Sequence, residues 1–234
     1  MSHFRVAVFS NSPSDISFDE LLAPYDENLD AEFMELTDDE IENLRKEYED
    51  NKYPGDFEEF LTNRGYINDP ESGMLGYYFN PSAKWDWYSL DGGDWQFDLK
   101  EDEEYDDNGC ARKNQFSYFD SDYSESKCTK RWKELAELAA STTNSVSEES
   151  DPDVRLAKIF MSDYPTLEHY LRCMKLNYPY AFITPNGEWH APGRVGWFGL
   201  SDDTAESMKQ YLDEWEAWIN SDVNPYVNFV DCHI

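Results

Sequence analysis

The sequence predicts an α+β fold: a mainly antiparallel sheet that includes strands at both termini, with amphipathic helices packed on it. Three observations predict it. The chain opens on the β-branched and aromatic run HFRVAVF and closes on VNFVDCHI, both strand-like. Two glycine-bearing turn signals, Asp91-Gly92-Gly93 and Pro185-Asn186-Gly187, stand between strand-like runs. The intervening segments repeat their apolar residues at spacings of three and four, the helical period. A hydrophobic fraction of 40% with 16% aromatics over 234 residues is enough for a core, so the net charge of −31 does not make the chain a disordered acidic tail.

Taken in order, the opening strand is followed by a Ser/Pro/Asp loop, Asn11 to Asp15. Thr37 with Glu40 three residues later is a capping box, and Ile41, Leu44 and Tyr48 continue it as a helix. A short second helix runs from Asp56 with Phe57, Phe60 and Leu61 inward and stops at Gly65. KWDWYSL, the paired glycines and DWQFDL read as a hairpin in which Trp85 and Trp87 share one face and Trp95 and Phe97 another. Lys130 to Ala140 is a helix with Trp132, Leu135, Ala136 and Ala139 on one side.

The polar stretch 141–150 is the one plausible internal boundary of an otherwise single domain, 1–234. Asp151-Pro152 starts the next helix, and another begins near Thr166 with Leu167, Tyr170, Leu171 and Met174 inward. YAFIT, the Asn186-Gly187 pair and EWH form a hairpin with a type I′ turn. Ser201 or Asp203 caps the last helix, where Met208, Tyr211, Leu212, Trp215, Trp218 and Ile219 follow the helical pattern.

Charge is uneven along the chain. Residues 1–60 carry 18 acids against 4 bases, whereas 110–180 carry 11 against 10. The acids concentrate in Asp26 to Asp50, Glu101 to Asp107 and Asp202 to Glu216. Such a chain is a poor direct ligand for nucleic acid or an anionic membrane, since each phosphate contact needs a scarce Lys or Arg. A basic partner suits it better. No apolar stretch is long enough for a signal peptide or a membrane span, which points to the cytosol. Cys110, Cys128, Cys173 and Cys232 form no C-x-x-C pair and are expected as reduced thiols.

Sequence motifs of nucleotide-binding loops, metalloproteases, kinases and serine hydrolases are missing. The glycine-rich loop with Gly193, Gly196 and Gly199 has Arg194 as its one base and reads as a turn packing Trp197 and Phe198. Asp86 and Asp94, flanked by Trp85, Trp87 and Trp95, are the carboxylates best placed for a raised pKa. If the terminal strands pair, His3 and His233 become neighbours, and with Asp231 and His190 they form a candidate zinc or manganese site. The alternative for these histidines is a set of hydrogen-bonded residues at a sheet edge.

MSHF at the start, PYDEN at Pro24 to Asn28, NPSAKWDWY at Asn80 to Tyr88 with Gly92-Gly93, GEWHAPGRVGWFG at Gly187 to Gly199 and VDCHI at the end together resemble a widespread family of uncharacterised accessory proteins of tailed bacteriophages. Asp94 stands where that family usually has Arg after the paired glycines. The resemblance implies a protein made in the cytoplasm of a bacterial host and, by analogy, one acting on host machinery or host defence.

The leading expectation is therefore a non-enzymatic inhibitor whose acidic surface imitates nucleic acid and binds a basic nucleic-acid-handling host protein, such as a CRISPR or restriction effector. Its expected contact residues are Asp38, Asp39, Glu42, Glu101, Asp102, Glu103 and Glu104. The alternative expectation is a metal-dependent enzyme or small-ligand binder, for instance of a nucleotide, at His3, His190, Asp231 and His233.

Overall fold

A computed structural model describes residues 3–90, 97–107, 109–141, 151–195 and 201–234. The fold is α+β, with seven α-helices and nine strands in the described residues. Two units divide the chain. The larger comprises residues 1–23 and 87–234, and the smaller, Pro24–Asp86, is inserted into it. This division is not the one expected at 141–150. Residues 142–150 lie outside the described ones, and the helices before and after them pack on each other within the larger unit.

In the larger unit the terminal strands pair, as the sequence predicts. Strand β1 (His3–Ser10) runs antiparallel to β9 (Tyr226–His233) along its whole length, from His3 opposite His233 to Ser10 opposite Tyr226. On its other side β1 is parallel to β7 (Ala181–Ile183), which forms a hairpin with β8 (Trp189–His190). Short strands β5 (Trp87–Ser89) and β6 (Ala111–Arg112) pair with the two ends of β9.

Alternation sends Ala7 and Phe9 of β1 and Val227 and Phe229 of β9 to one face, which α7 (Ala205–Ile219) covers. Trp215, Tyr211 and Leu212 of α7 are fully buried there. Trp215 meets Phe9 at 6.1 Å and Phe182 at 5.3 Å between ring centroids, and Phe97 stacks on Phe229 at 4.3 Å. Burial of each such side chain stabilises the fold by roughly 1.5–3 kcal/mol. Phe4, Val6 and Val8 point the other way, and α1 (Asp15–Leu22) packs on β1 with Phe18 and Leu22 buried. Three further helices, α4 (Glu125–Ala140), α5 (Pro152–Asp163) and α6 (Leu167–Lys175), complete the unit.

Lys113 is 2% exposed, and its ammonium donates to Trp218 O at 2.7 Å, Ser221 O at 2.9 Å and Ser221 Oγ at 2.8 Å. It thus caps the C-terminus of α7, where positive charge is favoured. Burial lowers the Lys113 pKa, against an opposing pull from Asp222.

The smaller unit is a three-stranded antiparallel sheet of β2 (Glu32–Glu35), β4 (Leu75–Phe79) and β3 (Ile67–Asn68), with helices α2 (Asp38–Asp50) and α3 (Phe57–Thr62). Its two ends meet: Asn80 Nδ2 donates to Pro24 O and Asp26 O at 2.8 Å each, and Asp26 bridges Trp85. Both halves of the Thr37/Glu40 capping box are formed, and Asp56 Oδ1 caps α3 by accepting from Glu59 N at 2.8 Å.

Local expectations fail at four places. The second hairpin has a three-residue loop and not a type I′ pair. Gly187 N donates to Thr184 O, Thr184 N donates to Glu188 O, and only Gly187 takes a positive φ, +86°. Pro185 fixes φ near −65°, so the type I′ geometry that needs two positive φ values is closed to Pro185 and Asn186. Thr204, not Ser201 or Asp203, caps α7, its Oγ1 accepting from Ser207 N at 3.1 Å.

Asp15, placed in a loop from sequence, instead starts α1 behind an Ser14 cap. Trp85 and Trp87 do not share a face: Trp85 is buried in the smaller unit while Trp87 is 55% exposed on β5. Turn residues 91–96 of the first expected hairpin, with Asp94 and Trp95, lie outside the described residues. Of the expected arms, β5 pairs with β9, and Leu99 bridges Phe116.

Candidate functional site

Two groups of residues are candidates, one in each unit. In the larger, the face of the sheet that is apolar at Phe9 and Phe229 becomes polar toward the start of β1. Arg5 stands opposite Asp231, His3 opposite His233, and Trp87 of β5 opposite His233 on its other side. The reason is the two-residue period: Asp231 and His233 share the face of Arg5 and His3, and Cys232 is turned inward with its thiol pKa well raised by burial.

His3 Nδ1 lies 3.0 Å from one oxygen of Asp231 and 3.2 Å from the other, and the His3 and His233 rings meet edge to face at 5.2 Å. An ionised carboxylate only accepts, so Nδ1 carries the proton and Nε2 of a neutral His3 is left as a base. The His3 side chain is 46% exposed, and its ring meets that of Trp87 at 6.5 Å. Deeper in, Arg5 donates to Tyr178 O at 3.0 Å and lies 4.3 Å over the Phe97 ring. Desolvation lowers its pKa to about 10, partly offset by Tyr211.

His190 does not join this group. It faces Phe182, whose β1 partner is Ala7, four residues beyond His3. That is about 13 Å along the strand and about 10 Å across two strand spacings. There His190 Nδ1 is 2.9 Å from Glu214 Oε2, and its ring stacks on Phe182 at 4.5 Å. Asp231 is turned to His3 Nδ1 and does not stand free beside it as a further ligand. Among the described residues no group of three or more His, Cys, Asp or Glu side chains is placed to hold a metal ion.

Burial pushes the thiols of Cys110 and Cys173 up to about 11, and all four cysteines are unbridged. His169, which no periodicity marks as inward, is buried on α6 with Nε2 at 3.7 Å from Cys173 Sγ. In the glycine-rich loop, Gly196, Trp197, Phe198 and Gly199 lie outside the described residues.

The second group lies in the smaller unit, whose 63 residues hold 18 acids against 5 bases, a net −13. The density of net charge is about twice that of the rest of the chain. Seven of the acids, Asp38, Asp39, Glu40, Glu42, Glu47, Glu49 and Asp50, are exposed on α2. Two have cationic partners, Glu42 with Lys46 and Glu47 with Arg64. Asp38, Asp39, Glu49 and Asp50 have no ion pair among the described residues.

Asp38, Asp39 and Glu40 in the first turn favour the helix dipole, and the Thr37 backbone amide holds the Glu40 carboxyl below its ordinary pKa. Glu47, Glu49 and Asp50 are at the opposite end, where no base stands in the last turn and their charge opposes the dipole. The other expected contact residues, Glu101, Asp102, Glu103 and Glu104, are exposed on a turn of the larger unit closed by Glu103 N to Lys100 O at 3.1 Å. Glu103 there accepts from Gln115 Nε2, and Asp102 has a φ of +65°.

No helix of the described residues is long and apolar enough to cross a membrane. Comparison of the chain with protein-family models, with curated proteins and with solved structures gave no match.

Proposed function

We propose that the protein is a non-enzymatic binding protein whose smaller unit presents α2 to a basic, nucleic-acid-handling protein of a bacterial host. The observation that carries this reading is the density of exposed carboxylates on α2, seven in thirteen residues. Thirteen residues make a helix about 20 Å long, so its seven acids, less Arg45 and Lys46, give one net charge per roughly 4 Å of axis. One strand of duplex DNA carries one phosphate per about 3.4 Å.

Acids in the last turn cost helix stability, so helix formation does not account for them. Resemblance to tailed-phage accessory proteins adds the class of partner, a CRISPR or restriction effector, and the place, the host cytoplasm. Asp38, Asp39 and Glu42 are the contact residues this reading puts first, with Glu101 to Glu104 as a separate acidic turn.

The test is a pull-down from host lysate with the full-length protein at about 20 mM and about 500 mM salt, since screening shortens the reach of charge from about 20 Å to a few Å. A nucleic-acid-binding protein is expected at low salt, and its loss with Asp38→Asn/Asp39→Asn/Glu42→Gln. Recovery of no such protein overturns the reading.

One observation favours a second reading, a small-ligand or metal-dependent site: Asp231 orients His3 with Nε2 toward an open surface beside Trp87. Elemental analysis separates the two. Stoichiometric zinc or manganese, lost on His233→Ala, selects the second reading.

A further inference from the structure

Beside α2, and wholly within the smaller unit, runs a groove of about 520 Å3. Glu40, Leu44 and Glu47, at spacings of three and four, form one wall. Arg64 and Tyr66, where the chain leaves α3, and Tyr77 of β4 line the groove as well, with Arg64 reaching Glu47. From Glu40 to Glu47 the helix advances about 10 Å, the length of about three residues of extended chain.

The groove combines two features that recognise one side chain. Its rim carries Glu40 and Glu47 against one base, Arg64, which binds Glu47, and Glu40 is kept ionised by the capping box through Oε2, leaving Oε1 without a donor among the described residues. Its aromatic rings, Tyr66 and Tyr77, meet edge to face at 5.9 Å, and the Tyr66 hydroxyl has no hydrogen bond among the described residues. The unit already treats its own arginines this way. Arg64 lies 4.0 Å over the Phe60 ring while binding Glu47, and Arg45 lies 4.5 Å over Phe57.

We infer that this groove takes an arginine from an extended basic segment of the partner protein, with the guanidinium against Tyr66 and the Glu40 carboxylate. The inference rests on the reading that the smaller unit binds a basic protein, and it names the side chain that reading requires. Arginine suits the groove better than lysine because its planar, weakly hydrated guanidinium stacks on a ring and pairs with a carboxylate at once. An apolar segment is disfavoured, because it removes water from the remaining Glu40 oxygen, which has no donor among the described residues, without replacing it by one.

The test titrates the full-length protein with an end-blocked Gly-Arg-Gly-Arg-Gly peptide at low salt, beside its lysine, citrulline and leucine analogues. The arginine peptide is expected to bind most tightly. Tyr66→Leu is expected to weaken it about fivefold. Glu40→Gln, which keeps an acceptor for the capping box, is expected to do likewise. Glu58→Gln and Asp50→Asn, outside the groove, are expected to change it less than twofold.

Equal binding of the arginine and lysine peptides, binding of the leucine peptide, or equal effects of all four variants overturns the inference. Failure of the parent reading looks different: arginine-specific binding lost in Tyr66→Leu, with no nucleic-acid-binding protein recovered from lysate, overturns the partner class and leaves the groove assigned. A recovered host protein that binds Tyr66→Leu as well as the unaltered protein overturns the groove alone.

Discussion

Lys113→Met is the most direct test of what holds the larger unit together. Methionine keeps the length and the apolar stem and removes the ammonium, so α7 loses its cation at the C-terminus. Trp218 O keeps other donors, Ser221 N at 3.1 Å and Ser221 Oγ at 2.7 Å. Ser221 O loses the 2.9 Å bond from Lys113, and an unsatisfied buried acceptor costs about 1–3 kcal/mol. Loss of a partly buried charge–dipole interaction adds up to about 2 kcal/mol. Relief of the desolvation that lowers the Lys113 pKa acts in the other direction.

The expected net is about 3 kcal/mol, or a fall in Tm of about 6–12 °C for a unit of this size. The Trp218 ring lies 5.1 Å from the Lys113 ammonium, so tryptophan fluorescence during heating or urea unfolding reports the substitution. Lys209→Met, at a lysine without an ion pair among the described residues, is the control and is expected to move Tm by less than about 2 °C. A Lys113→Met shift no larger than the control refutes the assignment of Lys113 as the cap of α7.

Further predictions follow from local geometry. α2 ends with Lys52 at a φ of +48°, where Tyr53 N reaches Tyr48 O and Lys52 N reaches Glu49 O, so Lys52→Gly is expected to stabilise the protein by about 1 kcal/mol in urea titration. Burial pushes the hydroxyls of Tyr105 and Tyr180 up to about 12 and that of Tyr211 well above its ordinary value, while an unfolded chain ionises them near pH 10. Groups whose folded pKa is raised contribute stability that is present below about pH 10 and lost as pH rises toward 12, so the urea midpoint is expected to fall across that window; a flat profile contradicts it. Asp231→Asn removes the carboxylate that fixes the His3 tautomer and is expected to shift the His3 ring nitrogens in NMR spectra, with a stability change under about 1 kcal/mol.

Strand pairing at the termini was legible in the sequence because β1 and β9 are runs rich in β-branched and aromatic residues, eight positions each, and such runs read as strands buried through their middles. Helix α7 was legible because its apolar stripe runs four turns. The smaller sheet was not legible. β2 is EFME and β3 is two residues, both largely exposed, so neither shows a period to read.

The insertion at Pro24 was equally hidden, because what closes it is Asn80 reaching Pro24 O and Asp26 O across more than fifty residues. At the candidate site, period two correctly set His3, Asp231 and His233 on one face. It could not place His190, since register between β1 and β8 passes through β7 and depends on where the Pro185 loop ends. The tautomer-fixing role of Asp231 also needed coordinates, because a carboxylate on the same face serves a metal or a neighbouring imidazole equally well in sequence.

The acids at the end of α2 allow the role of the charge to be tested without knowing the partner. A surface kept for a cationic partner holds carboxylates even where they weaken its own helix. Replacing Glu49 and Asp50 by Gln and Asn removes two charges that oppose the dipole and that have no ion pair among the described residues. Each is expected to stabilise α2 by about 0.3–1 kcal/mol at low ionic strength, read from hydrogen exchange of the α2 amides. Raising the salt is expected to stabilise the unaltered unit and to narrow the difference, because screening weakens self-repulsion within a body of net −13. If both substitutions destabilise α2, or if salt has no effect on its exchange, the carboxylates support the helix, and the argument that they are held at a cost for a partner fails.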